Sequence, residues 1–248
     1  MVQCKSAASR SRLPGLDWAI NPYRGCSHAC AYCYSQDVTR FELNKSWGEV
    51  IEVKVNMVDV LKKELRRGKR GTYGIGTVTD PYQSLEKQYE LTRGCLNVLK
   101  SAGAKISILT KSDLVLRDLD LLRDWPGAEV GISAASLDDR VSQLVEPGAP
   151  SPARRIDALA KLSSEGVETY LMAAPVIHGL SDSEEGLRLL VGKAHAAHVP
   201  RIMWDKFNPK PMATSRMRRT LASRSLSLEQ DSEENMLRIR RVLQAECN

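Results

Sequence analysis

The chain has 248 residues, 42% of them hydrophobic and 27% charged, with a formal net charge of +6. Such a chain can bury the core of one large domain, and no apolar run approaches the ~20 residues that a membrane-crossing helix needs. The charge favours anionic partners without reaching that of a nucleic-acid packaging protein, and aromatic residues at 5% argue against a long stacking platform for single strands.

Residues 1–16, MVQCKSAASRSRLPGL, are polar, basic and aperiodic, so they read as a flexible arm ahead of one domain over residues 17–248. They carry no apolar core of a signal peptide, and a cytoplasmic location is expected. A first strand is expected in residues 17–23, with a cysteine-rich loop at its carboxyl end. Residues 51–56 alternate like a strand, and a helix follows that ends near Gly68. Its basic end, KKELRRGKR over 62–70, suits the negative pole of a helix dipole. Further strands are expected over 72–79, 106–110, 129–133, 168–177 and 201–207. Between them, helices are expected to be capped by Ser84, Ser112, Ser151 and a Ser181/Glu184 capping box. A last helix carries Met236, Ile239, Val242 and Leu243 on one face. Six strand-helix units joined by short connections force parallel strands, in an open doubly wound sheet or a curled, barrel-like one.

The densest chemistry lies in residues 21–35, NPYRGCSHACAYCYS, which holds three of the six cysteines, Cys26, Cys30 and Cys33. A loop with C-x3-C-x2-C spacing can aim three thiolates at one cubane iron-sulfur cluster, leaving one iron free for a substrate or cosubstrate. A structural zinc site uses the same residue types, with His28 inside the loop, but it wants four ligands and the usual C-x2-C pairing is missing. A disulfide framework does not suit a chain of this length without a secretory signal. The scattered Cys4, Cys95 and Cys247 give no second cluster.

At these residues the chain resembles the radical S-adenosylmethionine (SAM) superfamily, including Tyr32 as the aromatic residue before the last cysteine. The wider wording, with TDPYQ over 79–83, is similar to the branch of spore photoproduct lyase. The resemblance implies a partial (β/α)6 barrel and a 4Fe-4S cluster on Cys26, Cys30 and Cys33. It also implies SAM as cosubstrate and an outside reductant such as flavodoxin or ferredoxin. SAM contacts are then expected where strands end: Tyr32 in the loop, Thr77, Thr79 and Asp80 after 72–79, Lys111 after 106–110, Ser133 after 129–133, and Ile177 after 168–177. Arg155 resembles the arginine that grips the SAM carboxylate in related sequences. Plain readings stand beside these, since Asp-Pro is also a turn signal and a lysine before a helix is often only solvated.

For a hydrogen-atom donor or proton relay the candidates are Cys95, Tyr34, Tyr82 and His178, and Cys247 only if the tail folds over the mouth. A basic segment with Lys206, Lys210, Arg216, Arg218, Arg219 and Arg224 is the candidate contact for nucleic-acid phosphates. The expected function is reductive cleavage of SAM to a 5'-deoxyadenosyl radical that takes hydrogen from a substrate, with a nucleic-acid lesion, as for a DNA repair lyase, as first candidate. A peptide, RNA or small-molecule substrate is the alternative, and a non-enzymatic metal-containing nucleic-acid binder is the rival of another class.

Overall fold

The structure is a computed structural model and describes residues 1–40 and 47–245. The strands are β1 (Ala8–Arg10), β2 (Trp18–Ile20), β3 (Tyr23–Arg24), β4 (Glu52–Val53), β5 (Thr72–Ile75), β6 (Lys105–Thr110), β7 (Ala128–Ser133), β8 (Glu168–Val176) and β9 (Ile202–Lys206), the longer of them rich in apolar and β-branched residues. Seven join one sheet in the order β1-β2-β5-β6-β7-β8-β9, parallel from β2 onward and not closed into a ring. This is the α/β partial barrel expected from the sequence, with β1 added antiparallel at one edge.

The period-two alternation of strands decides what each face does. Tyr73, Ile75, Ile106, Ile108, Val130, Ile132, Leu171 and Ala173 point to one face and form the main core under the helices. The opposite face curls inward, where Leu109, Ser133, Met172 and Ala174 line a cavity. Lower on this face the Tyr170 ring lies across Gly131, where a Cβ would come within 2.1 Å of its Cζ, so only glycine fits.

The helices are α1 (Ser35–Thr39), α2 (Met57–Arg66), α3 (Glu86–Tyr89), α4 (Leu91–Ser101), α5 (Leu119–Leu122), α6 (Asp139–Val145), α7 (Pro152–Ser164), α8 (Glu184–Ala196), α9 (Pro211–Ala222) and α10 (Glu233–Ala245), with a 3-10 turn at Asp113–Asp118. Ser112 and Ser151 cap as expected, accepting from Leu114 N and Arg154 N. The last helix buries Ile239, Val242 and Leu243 against Leu187 and Val191 of α8.

Several expectations are corrected. Residues 1–16 are docked rather than free: β1 pairs with β2, Ala7 and Ala8 are buried, and the Cys4 backbone N–H donates to Asn56 Oδ1. Small residues without periodicity hid this edge pairing, which backbone hydrogen bonds carry. The 51–56 run pairs as β4 with β3 and bridges Val2 at Lys54, outside the main sheet. The helix after residue 84 breaks at Glu90, whose φ is 48°, and Ser84 donates to Ser27 Oγ instead of capping. Ser183, not Ser181, caps α8, while Ser181 Oγ accepts from Ile177 N. Helices α6 and α9 were not expected; α9 turns the basic segment into a helix with Ala213, Met217 and Leu221 buried at i, i+4, i+8 spacing. Among the described residues no helix is long and apolar enough to cross a membrane.

Candidate active site

The cysteine loop leaves the carboxyl end of β2 in two successive turns, closed by Ala29 N to Cys26 O (3.2 Å) and Cys33 N to Cys30 O (3.2 Å). Ala29 takes a φ of 53° to make them. The loop is held from two sides. On one, Ser27 N donates to Gln83 Oε1 (2.9 Å) and Thr79 Oγ1 donates to Gly25 O (2.6 Å), so the TDPYQ segment grips the loop's start. On the other, Ala31 N donates to Val145 O (2.8 Å) and Gly148 N to His28 O (3.0 Å). A Cβ on Gly148 would lie 2.1 Å from Ser27 O, so the backbones approach this closely only through glycine.

Cys26, Cys30 and Cys33 all line the inward cavity, with Thr77, Thr79, Asp80, Lys111, Ser133, Met172, Pro175, Asp205 and Lys206. Its empty space is about 1250 Å³ including the open mouth. Burial pushes the Cys30 thiol up to about 12, with Lys111 pulling the other way. Cys26 is also raised well above the usual thiol value, by burial and by the charges of Asp80, Cys30 and Cys33, so the thiols lie within electrostatic reach of one another. Thiols set high by burial become thiolates when iron takes the proton's place. Among the described residues no three His, Cys, Asp or Glu side chains are gathered as ligands of a single ion. A cubane instead takes each thiolate at its own iron corner, and an all-sulfur donor set suits that cluster.

Asp80 acts as a node. It accepts from Thr110 Oγ1 (2.6 Å), Lys111 N (2.8 Å) and Tyr82 N (2.9 Å), and its Oδ2 lies 3.3 Å from His28 Nδ1. Burial alone would raise its pKa, but the His28 charge and these hydrogen bonds carry it well below the usual carboxylate range. His28, weighed from sequence as a metal ligand, is thus a buried partner of Asp80.

A second node, Glu146, was not singled out in the sequence. It sits 6% exposed between Arg155 Nη2 (2.6 Å) and Lys111 Nζ (4.0 Å) and accepts from the Tyr32 hydroxyl. Burial would raise the Glu146 carboxyl, and the Lys111 and Arg155 cations hold it low instead. Arg155 is 1% exposed and spends its donors on Pro150 O (2.7 Å), Ser133 O (3.3 Å), Ser142 Oγ (3.2 Å) and Glu146. It fixes the loop's second support and does not line the cavity. Lys111 does line it, with Nζ 5.5 Å from the Tyr32 ring centroid, and the nearby Cys30 and Glu146 charges raise its pKa despite burial.

The remaining candidates separate. Tyr34 lines the cavity, its hydroxyl donating to Thr77 O at 3.1 Å. Ile177 faces a small crevice beside Tyr32 and Glu146. Cys95 is buried in the main core and Tyr82 donates to Asp118 Oδ2 (3.0 Å), both away from the cavity. His178 Nδ1 lies 2.8 Å from Asp182 Oδ2 and its Nε2 3.1 Å from Glu229 Oε2, in a clasp on the C-terminal segment. Cys247 lies outside the described residues. Of the basic segment, Lys206 lines the cavity, Lys210, Arg218, Arg219 and Arg224 are exposed, and Arg216 turns inward onto the cysteine loop.

The model of the Radical SAM superfamily matches residues 20–191 of this chain. An uncharacterized protein of Methanocaldococcus jannaschii is 37% identical over 185 residues, which cover 74% of this chain and 69% of that protein. An uncharacterized protein of Mycobacterium tuberculosis strain H37Rv is 37% identical over 208 residues, and the match spans 61% of its length. A radical SAM Nalpha-GlyT isomerase of Pseudomonas phage M6 is 28% identical over 161 residues, 64% of this chain and 33% of that protein. By fold the chain is similar to spore photoproduct lyase complexed with dinucleoside spore photoproduct, at a TM-score of 0.73 and 18% identity over 99% of this chain and 77% of that one.

Proposed function

The chain belongs to the radical SAM superfamily, and on that premise we propose that Cys26, Cys30 and Cys33 would hold a 4Fe-4S cluster, with SAM bound beside it in the inward cavity. When bound, cluster and SAM supply reductive cleavage of the sulfonium to a 5'-deoxyadenosyl radical, which takes hydrogen from the substrate. The observation that carries this reading is the opening of all three thiols onto one cavity at the carboxyl ends of parallel strands.

The protein's own residues then have separate tasks. Lys111 presents a cation to a carboxylate of the cosubstrate from the end of β6, beside Tyr32 and Cys30. Thr77, Thr79 and Ser133 offer polar groups at the strand ends, and Ile177 supports the neighbouring crevice. Tyr32 and Tyr34, both tied by hydroxyl hydrogen bonds, give the loop fixed aromatic walls. Leu109, Met172, Ala174 and Phe207 make much of the cavity apolar, which keeps water from a reactive intermediate. A cytoplasmic flavodoxin or ferredoxin is the proposed reductant.

For the substrate we propose a modified base or lesion in nucleic acid, presented outside the stack. The phage isomerase, the fold of spore photoproduct lyase, and Lys206 at the mouth support this reading. The test is anaerobic reconstitution with iron and sulfide, addition of SAM and dithionite, and mass spectrometry for 5'-deoxyadenosine. Wild type should form it and Cys30→Ala should not. Zinc in the purified chain without cluster uptake would overturn the enzyme reading. Irradiated DNA should then raise turnover, with salt-sensitive binding.

A further inference from the structure

Helix α9 follows the matched family region, and its contact with the cysteine loop runs in both directions. Asp37, in α1 directly after the loop, accepts from the backbone N–H groups of Met212 (2.8 Å) and Ala213 (3.2 Å), so it caps the first turn of α9. Less than a turn later Arg216 reaches back. Its Nε donates to Ala31 O (3.2 Å), Nη1 to Gln36 Oε1 (2.6 Å), and Nη2 to the carbonyl of Cys33 itself. The guanidinium carbon lies 5.3 Å from the Trp47 ring centroid, and Ala213 and Met217 pack with Ala31 and Tyr32.

An arginine whose only role is docking a helix has no need of this place. Half-burial costs its charge solvation, and its three nitrogens give up water for two loop carbonyls and the Gln36 amide. A rigid planar fork is the one side chain that can hold two diverging carbonyls and an amide at once while remaining charged.

We infer that Arg216 is a positioning residue for the cluster: it fixes the backbone between the second and third cysteines and sets one permanent positive charge beside the thiolates, raising the reduction potential of the cluster they hold. The inference rests on the cluster assignment proposed above. Three thiolates make the oxidised site already negative, and reduction adds one electron more. A neighbouring cation therefore favours the reduced state. Hydrogen bonds around ligands tune metal sites in the same way.

The test is an anaerobic redox titration of the reconstituted protein followed by electron paramagnetic resonance, with iron and sulfide counted in each sample. In Arg216→Gln the reduction equilibrium constant should fall about tenfold, a shift of 59 mV to more negative potential for one electron. Arg216→Lys keeps the charge but not the fork, so its potential should stay near wild type while its cluster is lost faster in air. Asp37→Asn weakens the cap on α9, leaves the arginine and removes a negative charge near the loop, so its potential should not fall. Equal potentials in Arg216→Gln and wild type would overturn the inference. So would an Asp37→Asn shift to more negative potential as large as that of Arg216→Gln, or failure of all three variants to take up iron, because helix docking alone would then be the cause. If Arg216→Gln takes up no iron while Asp37→Asn does, the holding role is supported directly. A wild-type chain without cluster uptake would overturn the cluster assignment as well, which separates the two failures.

Discussion

Two buried carboxylate networks in this molecule serve different ends. Around Glu86 and Asp118, both fully buried, Arg117 Nη2 donates at 2.8 Å to Glu86, Arg93 Nη1 at 2.8 Å to Asp118, and Tyr23 and Tyr82 add their hydroxyls. No member of this network lines the cavity. Around Glu146 the parts are alike, a tyrosine, an arginine and a carboxylate, but Lys111 stands 4.0 Å off and faces the cavity. The sealed network has every charge answered inside the protein. The open one keeps a cation with slack, and a site that must exchange a charged ligand needs that slack.

The largest expected effect breaks the sealed network. Glu86→Gln removes one of the two buried anions that hold Arg117, the other being Asp118, and turns an amide NH2 toward donors from Tyr23 and Thr92 or from Arg93, so the apo chain should lose about 3 kcal/mol in denaturant unfolding. A loss below 1 kcal/mol would show that the two networks do not differ as argued. On the open side, Lys111→Gln should lower SAM affinity at least tenfold, from loss of a charge-assisted hydrogen bond worth about 1.5–3 kcal/mol. Stability should change far less. Equilibrium dialysis against SAM with the reconstituted protein reads the first quantity, and the denaturant midpoint reads the second.

What the sequence discloses divides along a similar line. The main-sheet strands β2 and β5 to β9 follow from apolar alternation and turn signals, because both act over a few residues. The cysteine loop, Asp80 and Lys111 were legible for the same reason, being fixed by spacing or by position after a strand. Arg155 was picked out correctly as unusual and assigned the wrong partner, since its anion, Glu146, stands on the far side of a proline-rich turn. Arg216 was read with its basic neighbours as a phosphate contact. Its true acceptors at Ala31 and Cys33 lie more than 180 residues away, and no local pattern encodes that pairing. Docking of the first sixteen residues was missed because an edge pairing uses backbone groups, which every sequence has.

Asp80 gives a pH test of intermediate size. Its folded pKa is depressed below that of the unfolded chain, so its stabilisation is fully present above the unfolded value of about 3.9 and is lost as pH falls below it. The apo wild type should lose stability on acidification through that window. Asp80→Asn should be weaker at pH 7, by about 2 kcal/mol, with a shallower acid slope. An unchanged slope would mean that His28 and Thr110 do not favour the ionised form.

The smallest effect is expected at His178, which resembles a site residue in sequence and a clasp in structure. Both ring nitrogens meet carboxylates, Asp182 at 2.8 Å and Glu229 at 3.1 Å, and Asn235 Nδ2 lies 2.9 Å from Nδ1. Asp182 keeps Arg238 as a second partner at 2.6 Å, so removing the imidazole leaves no buried charge alone. Glu229 is more than half exposed, where ion pairs contribute little. His178→Ala should therefore cost below about 1 kcal/mol in unfolding and leave 5'-deoxyadenosine formation within about twofold of wild type. A tenfold loss of product with unchanged stability would instead move the chemistry toward the β8–α8 loop, and the contrast between sealed and open networks would no longer identify which polar residues meet the ligand.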